Sequence, residues 1–270
     1  PISKTNFHHH EGGRYRQKIC IMMNITPVVK QLLIINILFF IGSYIVPIAY
    51  DFFALYYPEN DHFKGWQFIT HMFMHGSIMH IAFNMFALYS FGSTLEHFWG
   101  GKKFLFFYIS CGLGSALLHT GMNYYTYQIG FNHLSDLGLE NQLQNFLNTG
   151  GLNFAVRPPD LNEGVLQSMF LDYNTPMLGA SGAIYGLLAA FAFMFPNAEL
   201  GLMFIPIPIK AKYFVPGILA IDLFLGFKGQ SIFGGGSTGI AHFAHVGGAL
   251  TGFLMMWYWK KNQFNKNRWN

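Results

Sequence analysis

The sequence predicts an all-α membrane protein of six spans, and three observations carry that prediction. Of 270 residues, 52% are hydrophobic and only 10% charged, whereas an average soluble domain carries about 25% charged residues. Aromatic residues reach 18%, with 30 Phe, which suits rings facing lipid and its interface better than a water-soluble core. Apolar segments also recur at close to the roughly 20 residues that cross a bilayer as a helix.

Those segments cover residues 27–50, 66–91, 103–122, 177–195, 213–227 and 240–259. Pro27 opens the first at a favourable first-turn position. Six spans put both termini on one side. Lys30, Lys102, Lys103, Lys210, Lys212, Lys260, Lys261, Lys266 and Arg268 fall in the amino-terminal end, the second and fourth loops and the carboxyl tail, against Lys64, Arg157 and Lys228 in the other loops. The positive-inside rule therefore places both termini in the cytoplasm, and a cell membrane of the bacterial inner type is the expected location. The fourth span then runs inward, with Ser181 near its outer end and above the midplane.

Residues 1–26 read as a tail, partly non-native. His8-His9-His10 is followed by Glu11-Gly12-Gly13, no apolar period is present, and Met22 or Met23 is the preferred start. Residues 27–260 form the expected main domain, and 261–270 a second tail. Residues 123–176 form a polar outer insertion broken by Gly150-Gly151 and Pro158-Pro159, with a short helix at 137–147; it reads as a mobile segment beside the Ser181 turn. Pro206-x-Pro208 reads as an extended connection. A net charge of +4 spread over tails and short loops excludes a nucleic-acid footprint. Cys20 and Cys111 form neither a disulfide framework nor a cysteine metal site.

The candidate chemistry begins at Gly179-Ala180-Ser181-Gly182-Ala183-Ile184-Tyr185-Gly186. A serine at a helix start lies near the positive end of the helix dipole, yet alone it reads as packing, because Gly182 and Gly186 form a Gly-x-x-x-Gly pair. Gly248 and Gly252 form another on the sixth span. Docking these two faces brings His245, three residues before Gly248, beside Ser181. His242 lies one turn nearer the loop and stays open as the partner on spacing alone. Ionisable and amide groups inside spans mark function by default. In the second segment His80 and Asn84 share a helix face and can aim two donors at one point, while His71 and His75 read as backbone-bonded. No His-Glu-x-x-His occurs and His71, His75 and His80 do not share a face, so no metal and no cofactor are expected. No row of charges suggests a channel.

Three motifs in this order, His80-x-x-x-Asn84, Gly179-x-Ser181-Gly182 and Ala244-His245-x-x-Gly248, resemble those of the rhomboid family of intramembrane serine proteases. The resemblance implies a six-span rhomboid bundle with Ser181 as nucleophile and His245 as general base, a dyad without an acidic third member. It further implies an oxyanion hole of His80, Asn84 and the Ser181 amide, and a Tyr185 ring packed on His245. Gly92-x-x-x-Glu96 matches a structural pattern of the family. Where rhomboids often carry Trp-Arg in the first loop this chain has Trp66-Gln67, which removes a loop contact. The implied partners are transmembrane protein substrates and the lipid bilayer. The implied reaction is hydrolysis of peptide bonds in or near transmembrane segments, the alternative being a catalytically silent relative that binds membrane clients.

Overall fold

The computed structural model describes residues 24–202, 205–228 and 240–263. The proposed start, the triple histidine and Cys20 therefore lie outside the described residues, as does most of the carboxyl tail.

The architecture is mostly helical. In chain order it comprises α1 (Pro27–Ile45), α2 (Ala49–Phe53), α3 (Gln67–Thr70), α4 (Ile78–Ala87), α5 (Ser93–Trp99), α6 (Gly101–Asp136), α7 (Leu143–Thr149), α8 (Glu163–Asn174), α9 (Ser181–Met194), β1 (Glu199–Leu202), β2 (Ile205–Lys210), α10 (Ala211–Lys228) and α11 (Ile240–Gln263). A π-helical turn at Leu88–Gly92 joins α4 to α5. Among the described residues, three helices are long and apolar enough to cross a membrane: Pro27–Ile45, Ile78–Trp99 and Gly101–Asp136. The helix α9 has 14 residues, about 21 Å at 1.5 Å per residue and short of a ~30 Å hydrocarbon core.

The second apolar segment begins later than expected. Residues 67–73 form α3 and a 3₁₀ turn, and the long helix starts only at Ile78, where Ser77 Oγ accepts the His80 amide at 3.1 Å as an N-cap. The third segment runs on to Asp136, 36 residues in all, because no Gly or Pro pair interrupts it at residue 122. Residues 123–176, expected as a mobile insertion, form a cap of helices packed on one another. The end of α6 packs with α7 and α8 around Tyr127, Leu134, Phe146, Leu166, Met169 and Tyr173, and Tyr57 of the first loop joins that cluster. Gly130 leaves room for Met169, whose side chain would meet any Cβ there. The Pro206-x-Pro208 stretch is also more than a connection. It lies in β2, which pairs antiparallel with β1 through Glu199↔Lys210 and Leu200↔Ile209, a two-stranded addition to the expected all-α fold.

Two polar anchors position the bundle. Glu96 caps α1 from below: its carboxylate accepts Val28 N–H at 3.0 Å, Val29 N–H at 2.9 Å and the Thr26 hydroxyl. The two amides are unpaired donors of a helix N-terminus, where negative charge is favoured. Gly92, one turn earlier, lets Val29 approach. Gln67 does the same for the first loop. Fully buried, it accepts Tyr56 N–H at 3.3 Å and Lys64 N–H at 3.1 Å through Oε1, and donates through Nε2 to Asp51 O at 3.1 Å and His62 O at 2.9 Å. A neutral amide thus supplies the loop contact whose loss the missing arginine implied. Beside it the Tyr56 hydroxyl donates to Asp51 at 2.9 Å; burial first, then this carboxylate, raises its pKa and keeps it a donor.

The centre of the bundle is α6, α9 and α11 pressed together on small residues. A Cβ on Gly248 would fall on the carbonyl oxygen of Gly182, and one on Gly252 would sit 2.7 Å from that of Gly186. Gly186 itself faces Cys111 of α6, and Gly182 faces Ser115. Backbone approach of this kind lets dispersion contacts and Cα–H···O contacts accumulate where lipid gives helices no hydrophobic reason to associate.

Candidate active site

Ser181 opens α9, and the turn before it is made by Gly179, whose φ of 116° is open to glycine and strained for other residues. The Gly179 amide donates to His71 O at 2.9 Å, and two residues earlier Met177 pairs with Leu55 through bonds of 2.8 and 2.9 Å. The serine turn is thereby tied to the 3₁₀ turn and to the first loop. The cap holds that loop in place: Asn60 Nδ2 donates to Tyr173 O at 2.9 Å and the Tyr173 hydroxyl to Glu59 O at 2.8 Å.

The small-residue contact of α9 with α11 brings His245 Nε2 to 2.9 Å from Ser181 Oγ. His242, the other candidate, does not reach the serine side. Its Nδ1 lies 2.5 Å from Asp222 Oδ1. The Tyr185 ring lies flat on the His245 imidazole, centroids 4.3 Å apart and planes 8° from parallel, a contact worth about 0.5–1.5 kcal/mol beyond area burial.

A third, acidic group stands where none was expected. Asp222 of α10 places Oδ1 3.3 Å from His245 Nδ1, on the ring edge opposite the serine. It is buried, with 4% of its side chain exposed against 23% for His245. The carboxylate is thus shielded more fully than the imidazole it faces. The arrangement has the order of groups of a serine hydrolase triad, in which the acid fixes the tautomer and orientation of the imidazole. Asp222 was legible as the only acidic residue after Glu199 and as an ionisable group inside an apolar segment. Weighing only the histidines in the spans missed it.

His80 approaches the same turn from α4. Its Nε2 lies 2.7 Å and Ser181 Oγ 3.7 Å from the point a Gly179 Cβ would occupy, so imidazole and hydroxyl converge on space that only glycine leaves open. His80 packs edge-on against His75, centroids 5.0 Å apart. Asn84 lies one turn further along and donates through Nδ2 to His80 O at 2.9 Å, leaving its second N–H for another acceptor. His71 and His75 face backbone, at Gln67 O (2.9 Å) and Phe73 O (3.3 Å). Gly182, Gly186, Gly248 and Gly252 sit in the helix contact beneath the site.

Similarity of the sequence to known proteins places the chain in a family. The sequence matches the rhomboid domain over residues 62–137 and 154–262, more than half of the chain. It is 26% identical over 226 residues to presenilin-associated rhomboid-like protein A, mitochondrial, of Danio rerio, covering 81% of this chain and 45% of that protein. It is 25% identical over 189 residues to rhomboid protein 1, mitochondrial, of Saccharomyces cerevisiae (70% and 40%). To the Homo sapiens presenilin-associated rhomboid-like protein, mitochondrial, it is 28% identical over 187 residues (69% and 35%). The chain thus spans less than half the length of these three relatives. Their names place them in mitochondria, which runs against the bacterial-type inner membrane expected above; what stands is a multi-pass membrane protein. The chain belongs to the rhomboid family.

Proposed function

We propose that the protein is an intramembrane serine endopeptidase that hydrolyses peptide bonds in or near transmembrane segments of membrane proteins. The observation that carries this reading is the 2.9 Å contact of Ser181 Oγ with His245 Nε2. A serine hydroxyl is a weak nucleophile near neutral pH and needs a base within hydrogen-bond reach. His245 Nε2 takes the Oγ proton as Oγ bonds to the scissile carbonyl carbon. The same proton then goes to the leaving amine, and water enters by the reverse route to free the acid. Asp222 accepts from Nδ1–H and steadies the imidazolium while Tyr185 holds the ring plane. The charge that develops on the carbonyl oxygen is met by the Ser181 amide at the α9 N-terminus, by His80 and by the free N–H of Asn84, donors typically worth about 2.7–4 kcal/mol each. Counting α9, α10 and α11 as the remaining spans gives six, with both termini on the lysine-rich, cytoplasmic side.

Labelling with a serine-reactive fluorophosphonate tests the reading. The detergent-purified wild type is expected to react and Ser181→Ala not to. A folded wild type that does not react would instead make the chain a client-binding relative without catalysis. Asp222→Asn removes the charge behind the base but leaves the Tyr185 stack, so turnover is expected to fall roughly ten- to hundredfold with KM little changed, less than in a triad whose acid alone orients the ring. An unchanged kcat would remove Asp222 from the mechanism.

A further inference from the structure

The acid behind the catalytic pair has a second histidine on it, and the proposed hydrolysis uses only one. Asp222 Oδ1 is shared by His242 Nδ1 at 2.5 Å and His245 Nδ1 at 3.3 Å. One ligand atom from each of the three residues lies within 4.8 Å of the others, the one such group of three among the described residues. The two rings stand nearly perpendicular, at 87°, with centroids 6.1 Å apart. Asp222 and His242 are more than nine-tenths buried, so the carboxylate faces these two imidazoles and the neighbouring Tyr185 hydroxyl.

We propose that Asp222, His242 and His245 form an inhibitory zinc site that switches off the catalytic base. The donor set is two imidazole nitrogens and one carboxylate, which suits Zn²⁺ and not the all-oxygen shells of Ca²⁺ or Mg²⁺. Tetrahedral zinc with bonds of about 2.0–2.1 Å separates its ligand atoms by about 3.3–3.4 Å. The His245 Nδ1 to Asp222 Oδ1 separation of 3.3 Å already matches, and the closer His242 contact opens as the metal enters. A water completes the shell.

Inhibition follows from the two ends of one ring. In the active tautomer His245 carries its proton on Nδ1 and turns the Nε2 lone pair to Ser181. When zinc takes the Nδ1 lone pair, the proton displaced from Nδ1 is carried on Nε2. His242 likewise passes its Nδ1 proton to its own Nε2, so no proton is lost overall, but Nε2 of His245 is now a donor toward Ser181 Oγ and cannot remove its proton. Asp222 is also drawn from the imidazole edge to the metal. The switch rests on the protease reading; the binding site does not.

The experiment separates the two. Chelator-stripped Ser181→Ala protein in detergent, which cannot cleave, is expected to bind one zinc per chain by equilibrium dialysis with metal analysis, and Co²⁺ in its place to show tetrahedral d–d absorption. Adding His242→Ala or the bulkier His242→Gln is expected to weaken binding at least a hundredfold with the protein still monodisperse. In wild type, zinc at the measured Kd is expected to halve cleavage of a membrane-embedded reporter and a chelator to restore it, whereas His242→Gln needs at least tenfold more zinc for the same fractional loss. No stoichiometric binding, or binding that both His242 variants leave intact, overturns the site. Binding at the site with undiminished cleavage, or zinc that raises the rate, overturns the switch. A wild type inactive with and without chelator defeats the protease reading, and the dialysis result then still decides the site.

Discussion

Ser181→Ala is expected to keep the fold and to lose cleavage of a membrane-embedded reporter by at least about 10⁴-fold, the scale on which removal of a hydrolytic nucleophile acts. The deleted oxygen leaves nothing that His245, 2.9 Å away, could activate. The substitution removes one atom at the first residue of α9 and disturbs none of the glycine contacts below it, so melting temperature and gel-filtration profile are expected to match wild type. His245→Ala is expected to lose as much activity, because nucleophile and base act as one unit and their deletions do not add. Cleavage by Ser181→Ala at even a tenth of the wild-type rate would refute the mechanism.

Gly248→Val is expected to act through the fold, with an equally large loss. The new Cβ would fall on the Gly182 carbonyl, and backbone cannot rotate away as a side-chain tip can. Overpacking typically costs about 1–3 kcal/mol where side chains can shift, and the cost here lies at or above the top of that range. Separating α11 from α9 also carries His245 away from Ser181, so fluorophosphonate labelling and thermal stability are expected to fall together. Gly217→Ala, in α10 where a Cβ meets nothing within 4 Å, is the matched control and is expected to change neither. Full activity in Gly248→Val would mean that the close contact does not position the base.

The reach of local pattern explains which parts of this protein were readable. The apolar segments and the two Gly-x-x-x-Gly pairs are periodic, and period reports which face of a helix packs. Pattern fails at 123–176 because polarity and breakers describe a segment that leaves the membrane without saying whether it folds. Its order comes from Tyr57, Tyr127 and Tyr173, aromatic rings more than a hundred residues apart at the extremes and without a shared period. Gln67 reads as a loss beside the familiar arginine because a substitution is judged by charge, while the structure uses its amide for four backbone bonds.

The proposed catalytic constellation divides along the same line. Sequence alone determined that Ser181, His80, Asn84 and His245 sit on three apolar helices and that small residues on two of them could bring serine and histidine together, because residue type and helical spacing are local properties. Tertiary structure decided the choice of His245 over His242 at the serine and brought Asp222 to both imidazoles. Those outcomes depend on the rotation of α10 against α11, and a helix's rotation is set by what it packs on, which no spacing within its own sequence encodes.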